Sequence, residues 1–185
     1  MDPVALTFDD GPHPETTPAL LAALGDAPAT FFLQGSHAAA HPDLVRAIAA
    51  AGHPIGNHSW SHPRLPALPP AARELEVART QDLLAGITGT RPALFRPPYG
   101  DTDAAVAATL AGHGLTEVLW TVDTRDWAGA AADEITAAAS AVQPGGIILM
   151  HDGGYASTVA AVPRILAALS ARGLRAGRLG LPARP

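Results

Sequence analysis

Short runs of β-branched and aromatic residues alternate along this chain with longer alanine-rich stretches, and that alternation restricts the fold more than anything else in its 185 residues. Residues 4–8, 29–33, 92–96, 117–122 and 147–151 are brief apolar segments bounded by Gly, Pro or Asp, the pattern of strands buried on both faces. Between them, residues 17–24, 43–51 (entered through His41-Pro42), 71–84, 102–111, 133–142 and 158–171 carry helical apolar spacing and mostly stop near glycine. Repeated strand and helix imply a mainly parallel sheet covered by helices, an α/β fold. No Gly-x-Gly-x-x-Gly follows the first strand, and polar residues collect just after successive strands, which favours a barrel over an open sheet. Because a complete eight-fold barrel takes roughly 250 residues, residues 1–185 are expected to form one domain with a distorted, incomplete (β/α) barrel.

Composition narrows the partners. Nearly half the residues are apolar, and only 16% are charged, as in a globular chain. The formal charge is −5 and the basic residues are scattered singly, so no nucleic-acid partner is expected. No apolar run reaches membrane-spanning length, and a strand begins within a few residues of the N-terminus, leaving no space for a secretion signal. Such a signal is either absent by nature or trimmed. With no cysteine, neither disulfides nor thiolate metal sites are available.

The polar residues have a pattern of their own. Two histidines four apart, in His58-Ser59-Trp60-Ser61-His62, and the pair Asp9-Asp10, in Thr7-Phe8-Asp9-Asp10-Gly11-Pro12, supply the donors of a mononuclear site. Two imidazoles and one carboxylate hold a zinc-type divalent metal and leave a position for water or substrate; cobalt and similar ions accept the same set. Neighbouring side chains on a strand point to opposite faces, so one aspartate can bind metal while the other serves as a base. Further polar clusters end other strands: Arg96-Pro97-Pro98-Tyr99-Gly100, Asp123-Thr124-Arg125-Asp126-Trp127, and Leu149-Met150-His151-Asp152. Ligands, a base, an acid and orienting partners are what a metal hydrolase requires.

Each cluster alone has a plainer reading. Asp9-Asp10-Gly11-Pro12 could be only a strand and turn, His58 and His62 capping or surface groups, and Arg96 a strand-end ion pair. Asp126 could cap a helix, Trp127 and Leu149 could be core, and His151-Asp152-Gly153-Gly154 a loop. The joint placement at strand ends favours a site. His13, His37, His41, His53 and His113 lack a partner pattern and read as structural or surface residues, with His13 near enough to the first motif to line a cleft.

Together, in this order, the five clusters resemble the motifs of the polysaccharide deacetylases, the NodB-homology domain of carbohydrate esterase family four, over about residues 4–175. The resemblance implies a distorted (β/α) barrel with a cleft for a sugar chain. It implies Asp10, His58 and His62 as metal ligands, Asp9 as base directed by Arg96, and His151 as general acid oriented by Asp126. It further implies the Tyr99 backbone N–H at the oxyanion, and Trp127 and Leu149 around the acetyl methyl. The expected activity is metal-dependent removal of acetyl groups from N-acetylglucosamine-containing chains such as chitin or peptidoglycan. Acetylxylan esterase activity is the alternative on the same site; a silent carbohydrate-binding domain and a hydrolase of small non-sugar amides remain as others. A location outside the cell is expected from the substrate class, and a monomer is expected.

Overall fold

The computed structural model describes residues 3–179. Its centre is β1 (Val4–Asp9), all six residues of which are buried, as the apolar run predicts. Along the chain follow α1 (Thr16–Leu24), β2 (Thr30–Leu33), α2 (Gly35–Ala40), α3 (Pro42–Ala50), β3 (Ile55–Asn57), α4 (Pro70–Thr88) and β4 (Leu94–Phe95). Then come α5 (Ala104–Gly112), β5 (Thr116–Glu117), β6 (Val122–Asp123), α6 (Ala132–Ser140), β7 (Ile147–His151), α7 (Ala156–Ala171) and β8 (Ala176–Gly177). The strands pair in parallel in the order β5-β4-β3-β2-β1-β7-β6, and β8 pairs with the start of β1. Among the described residues, no helix is long and apolar enough to cross a membrane.

The expected incomplete barrel is what forms. The outermost strands β5 and β6 are consecutive in the chain and do not pair; residues 118–121 span the gap between them. Val118 N–H still bonds Phe95 O and Thr121 N–H bonds Ile147 O, so the two edges lie within the reach of three residues, about 10 Å. The sheet is therefore curled nearly shut. This also explains why 117–122 is not one strand: its middle leaves the ladder to cross the seam.

Strand alternation divides β1 between two environments. Val4, Leu6 and Phe8 join Phe31, Leu33, Ile148 and Met150 in the main core beneath the helices. Phe8 and Phe31 rings stack at 5.2 Å there, and truncating either to Ala costs about 3–5 kcal/mol by comparison with other cores. Thr7 and Asp9 face the inside of the curl, where Phe32, Leu94 and Val118 form a smaller apolar layer. The helices carry local signals: Asp103 accepts Val106 N–H at 2.8 Å to cap α5, and Gly89 ends α4 in the left-handed conformation. The strand expected over 92–96 shortens to two residues, and α2 and β8 were not anticipated.

Candidate active site

The carboxyl ends of the strands build the site. Asp9 is the last residue of β1 and His151 the last of β7, and the two are register partners on adjacent parallel strands. That register alone sets their side chains next to each other on the inner face. His58 follows β3, Arg96 follows β4, and Asp126 follows β6. A cavity of about 340 Å³ opens among them, lined by Asp9, Asp10, His58, His62, Tyr99 and His151, with Trp127, Leu149, Trp120, Asp123 and Tyr155 completing its wall.

Asp10, His58 and His62 each bring one donor atom within 4.8 Å of the others. Asp10 Oδ1 lies 3.4 Å from His58 Nε2 and 3.3 Å from His62 Nε2, yet it is buried and receives no hydrogen bond. A buried carboxylate oxygen without a donor is costly unless something positive meets it. Two imidazole nitrogens and that oxygen fit a divalent cation of the zinc type. His58 Nδ1–H donates to Arg96 O at 2.7 Å, which turns Nε2 into the cavity. Burial works to raise the Asp10 carboxyl, but His58, backed by His151 and His62, holds it down at about 2. Burial opposes protonation of both histidines; the nearby Asp9 and Asp10 pull His58 up regardless, whereas the charge of His58 helps hold His62 down.

The opposite-faces expectation for Asp9 and Asp10 fails. Asp10 has φ 71°, so it has left the extended strand and turned its carboxylate into the same cavity as that of Asp9. Separation of roles comes from partners instead. Arg96 Nη1 donates to Asp9 Oδ1 at 2.8 Å, leaving Oδ2 towards the cavity, 3.7 Å from His58 Nε2. Arg96 is 0% exposed and also donates to Thr7 Oγ1, Val118 O and Leu119 O. It is more than an ion pair: its guanidinium satisfies the carbonyls left bare at the barrel seam and lies over the Phe32 ring.

Across the cavity, His151 Nδ1–H donates to Asp126 Oδ1 at 2.7 Å, and Asp126 Oδ2 accepts the His151 backbone N–H and the Thr158 hydroxyl. Burial would lower the His151 pKa, but the Asp126 hydrogen bond and charge, with Asp9 and Asp10, raise it to about 9. Trp127 is 50% exposed and Tyr99 57% exposed, so neither is core, while Leu149 is buried at the cavity floor. Tyr99 has φ 63°, and among the described residues its backbone N–H has no acceptor. Among the described residues, the five non-glycine residues with positive φ, namely Asp10, Ser59, His62, Tyr99 and Arg125, belong to the motif segments.

The sequence reading brings all ten singled-out residues to this one region. It gave no role to Asp123, which stands inside the cluster at 123–127, nor to Trp120 and Tyr155, which lie beside the motifs; all three are in the wall. It also left His37 and His113 without partners: His37 Nδ1–H donates to Asp10 O at 2.6 Å, and His113 Nε2 pairs with Glu74 at 2.5 Å. His53 is buried, accepting Ala29 N–H. His13 sits against Gly154 and is not part of the cavity wall.

The polysaccharide deacetylase family profile matches residues 1–118. The chain is 40% identical over 153 residues to the chitooligosaccharide deacetylase of Rhizobium leguminosarum bv. trifolii, covering 81% of this chain and 71% of that protein. It belongs to the polysaccharide deacetylase family. Another member, the bifunctional xylanase/xylan deacetylase of Cellvibrio japonicus, is 37% identical over 178 residues; the match takes in 95% of this chain but only 27% of that longer protein. Among solved structures, a family 4 carbohydrate esterase from Streptomyces lividans in complex with acetate superposes with a TM-score of 0.93 at 46% identity, covering 97% of this chain and 93% of that one. The curled parallel sheet is the fold of this deacetylase family.

Proposed function

We propose that this deacetylase hydrolyses acetamido groups on N-acetylglucosamine-containing oligo- or polysaccharides outside the cell, using a divalent metal held by Asp10, His58 and His62. The reading rests on one arrangement: an undonated Asp10 oxygen between two imidazoles, with Asp9 and His151 side by side in register. A cation bound there supplies Lewis acidity towards water and the acetyl oxygen. Zinc is the proposed ion, and cobalt is compatible with the same donors.

The protein's own groups do the rest. Asp9 Oδ2 takes a proton from the attacking water while Arg96 holds the other oxygen and fixes the carboxylate's direction. Water oxygen bonds to the acetyl carbon, and the Tyr99 backbone N–H meets the oxygen that gains charge. The C–N bond then breaks as His151 Nε2 gives its proton to the leaving nitrogen, releasing acetate and an amine. A sugar nitrogen leaves badly without that proton, and a His151 pKa of about 9 keeps the proton in place at neutral pH. Trp127 and Leu149 bound the space for the methyl.

The favoured nitrogen substrate matches the name of the Rhizobium relative, and the xylan deacetylase activity named in the Cellvibrio relative supports O-deacetylation as the second reading. Acetate release from chitooligosaccharides and from acetylated xylan, measured side by side with and without chelator, decides between them. Chelator-sensitive release from the amide substrate is expected. Faster release from xylan would shift the assignment to the ester, and sugar binding without any acetate release would mean a silent binding domain.

A further inference from the structure

The two histidine ligands are four residues apart but not on a helix. Residues 58–62 form an irregular loop in which Ser59 and His62 have φ of 65° and 63°. Each non-glycine residue in that region costs about 1–2 kcal/mol, so the loop does not hold this shape by itself. His58 is fixed at the strand end, with its N–H on Leu33 O and its ring on Arg96 O. Among the described residues the His62 ring accepts or donates no hydrogen bond; it packs edge-on against Tyr99 at 4.6 Å, and its N–H bonds Ser59 Oγ at 3.1 Å, so its position depends on what shapes residues 59–61.

That shaping comes from both sides. The N–H groups of Gly35 and Ser36, opening α2, donate to Ser59 O and Trp60 O at 2.9 and 3.0 Å. From α4, Glu76 Oε2 accepts both Trp60 N–H at 2.9 Å and Ser61 N–H at 2.8 Å, and Oε1 accepts the Ser61 hydroxyl at 2.7 Å. Arg79, one turn further along α4, lies 3.5 Å from the Trp60 ring centre. Asn57, held by Gln81 and Val77 O of the same helix, accepts Ser59 N–H. Among the described residues, Glu76 is the one side chain that accepts two consecutive N–H groups of the loop.

We infer that Glu76 is the positioning residue of the metal site: by clamping the Trp60 and Ser61 amides it holds the left-handed turn that brings His62 Nε2 to Asp10. It touches neither substrate nor metal, and the inference rests on the proposed Asp10-His58-His62 metal site. Removing an outer partner of this kind typically weakens metal binding about 10- to 100-fold. Glu76→Met keeps the length of the side chain but accepts no amide, and Glu76→Gln keeps one oxygen for the two N–H groups.

The test is calorimetric titration of Zn²⁺ into metal-free wild type, Glu76→Met, Glu76→Ala and Glu76→Gln, with melting curves of each metal-free protein. The Met and Ala variants should bind zinc about 10- to 100-fold more weakly, Gln should recover most of the affinity, and saturating zinc should return kcat with KM for chitooligosaccharide unchanged. Wild-type zinc affinity in a folded Met or Ala variant overturns the role of Glu76. Failure of Gln to rescue, or a deficit that zinc does not repair, does so too. If wild type and all variants alike bind no zinc and no other divalent ion, the metal site itself is refuted, a separate outcome from equal binding.

Discussion

Replacing Asp126 with Asn tests the proton-holding half of the site. Asp126 is fully buried and contacts the mostly buried His151 ring at 2.7 Å, and it is the first of the influences that raise that histidine against the cost of burial. Without its charge, burial is opposed only by Asp9 and Asp10, and the His151 pKa should fall from about 9 to its ordinary 6.5 or lower. That interval of about 2.5 units corresponds to roughly 3 kcal/mol. At pH 7.5 the ring would go from almost wholly protonated to about one-tenth protonated, a loss of about tenfold in the acid form before any change of geometry. The stability consequence has a definite sign: a raised histidine stabilises the fold fully below pH 6.5 and loses that contribution as pH rises through about 9. Metal-free wild type should therefore lose stability across that window, and Asp126→Asn should show little of the slope. Asn also turns one of the two accepting oxygens into a donor, so the donors at either Oδ1 or Oδ2 lose their acceptor, a pH-independent cost of about 1–3 kcal/mol. Ring-proton NMR titration of the metal-free proteins reads the pKa directly. In the metal-loaded enzyme, where the cation lowers both values, the alkaline limb of kcat/KM should move down by a similar interval. A His151 that still titrates near pH 9 in Asp126→Asn would show that Asp9 and Asp10, not Asp126, hold its proton.

Asp9→Asn should lower kcat by about 10²- to 10⁴-fold while zinc affinity, measured by titration, stays close to wild type; retained turnover would remove Asp9 as base. His62→Ala and Asp10→Ala should each abolish tight metal retention, read by elemental analysis after dialysis, and an unchanged metal content would refute the ligand set. Arg96→Leu strands Asp9 and the Val118 and Leu119 carbonyls, and should cost about 3–5 kcal/mol in denaturant unfolding; Arg96→Lys, lacking the fork, should recover only part of it. Gly35→Ala would drive a methyl into the Thr80 hydroxyl and the Trp60 ring, with an expected loss of about 1–3 kcal/mol, and an unchanged melting temperature would show that this contact has slack.

The architecture was legible where burial writes itself into composition. β1 and β7 are covered on both faces, so continuous apolar runs mark them almost to the residue. That ten singled-out residues gather at one end of the sheet was legible because their types are scarce and recur at strand ends. What stayed hidden depends on contacts distant in sequence. α2 starts at Gly35 without a side-chain cap and exists because its N–H groups meet the 58–62 loop. The break within 117–122 reflects closure of the sheet, which no local pattern encodes. His37 looked like a surface group since its acceptor lies 27 positions away, and Glu76 looked like any acidic residue on a half-exposed helix face. The expectation that Asp9 and Asp10 face opposite ways failed because a single positive φ defeats strand alternation.

The left-handed residues in the cavity segments carry a consequence for laboratory evolution. Each of Asp10, Ser59, His62, Tyr99 and Arg125 would sit more comfortably as glycine, so selection for heat resistance alone has five places to harvest about 1 kcal/mol apiece. Two of those places hold Asp10 and His62, proposed to grip the metal. Thermostable clones gathered without an activity screen should accumulate glycine there and emerge sturdy but inert.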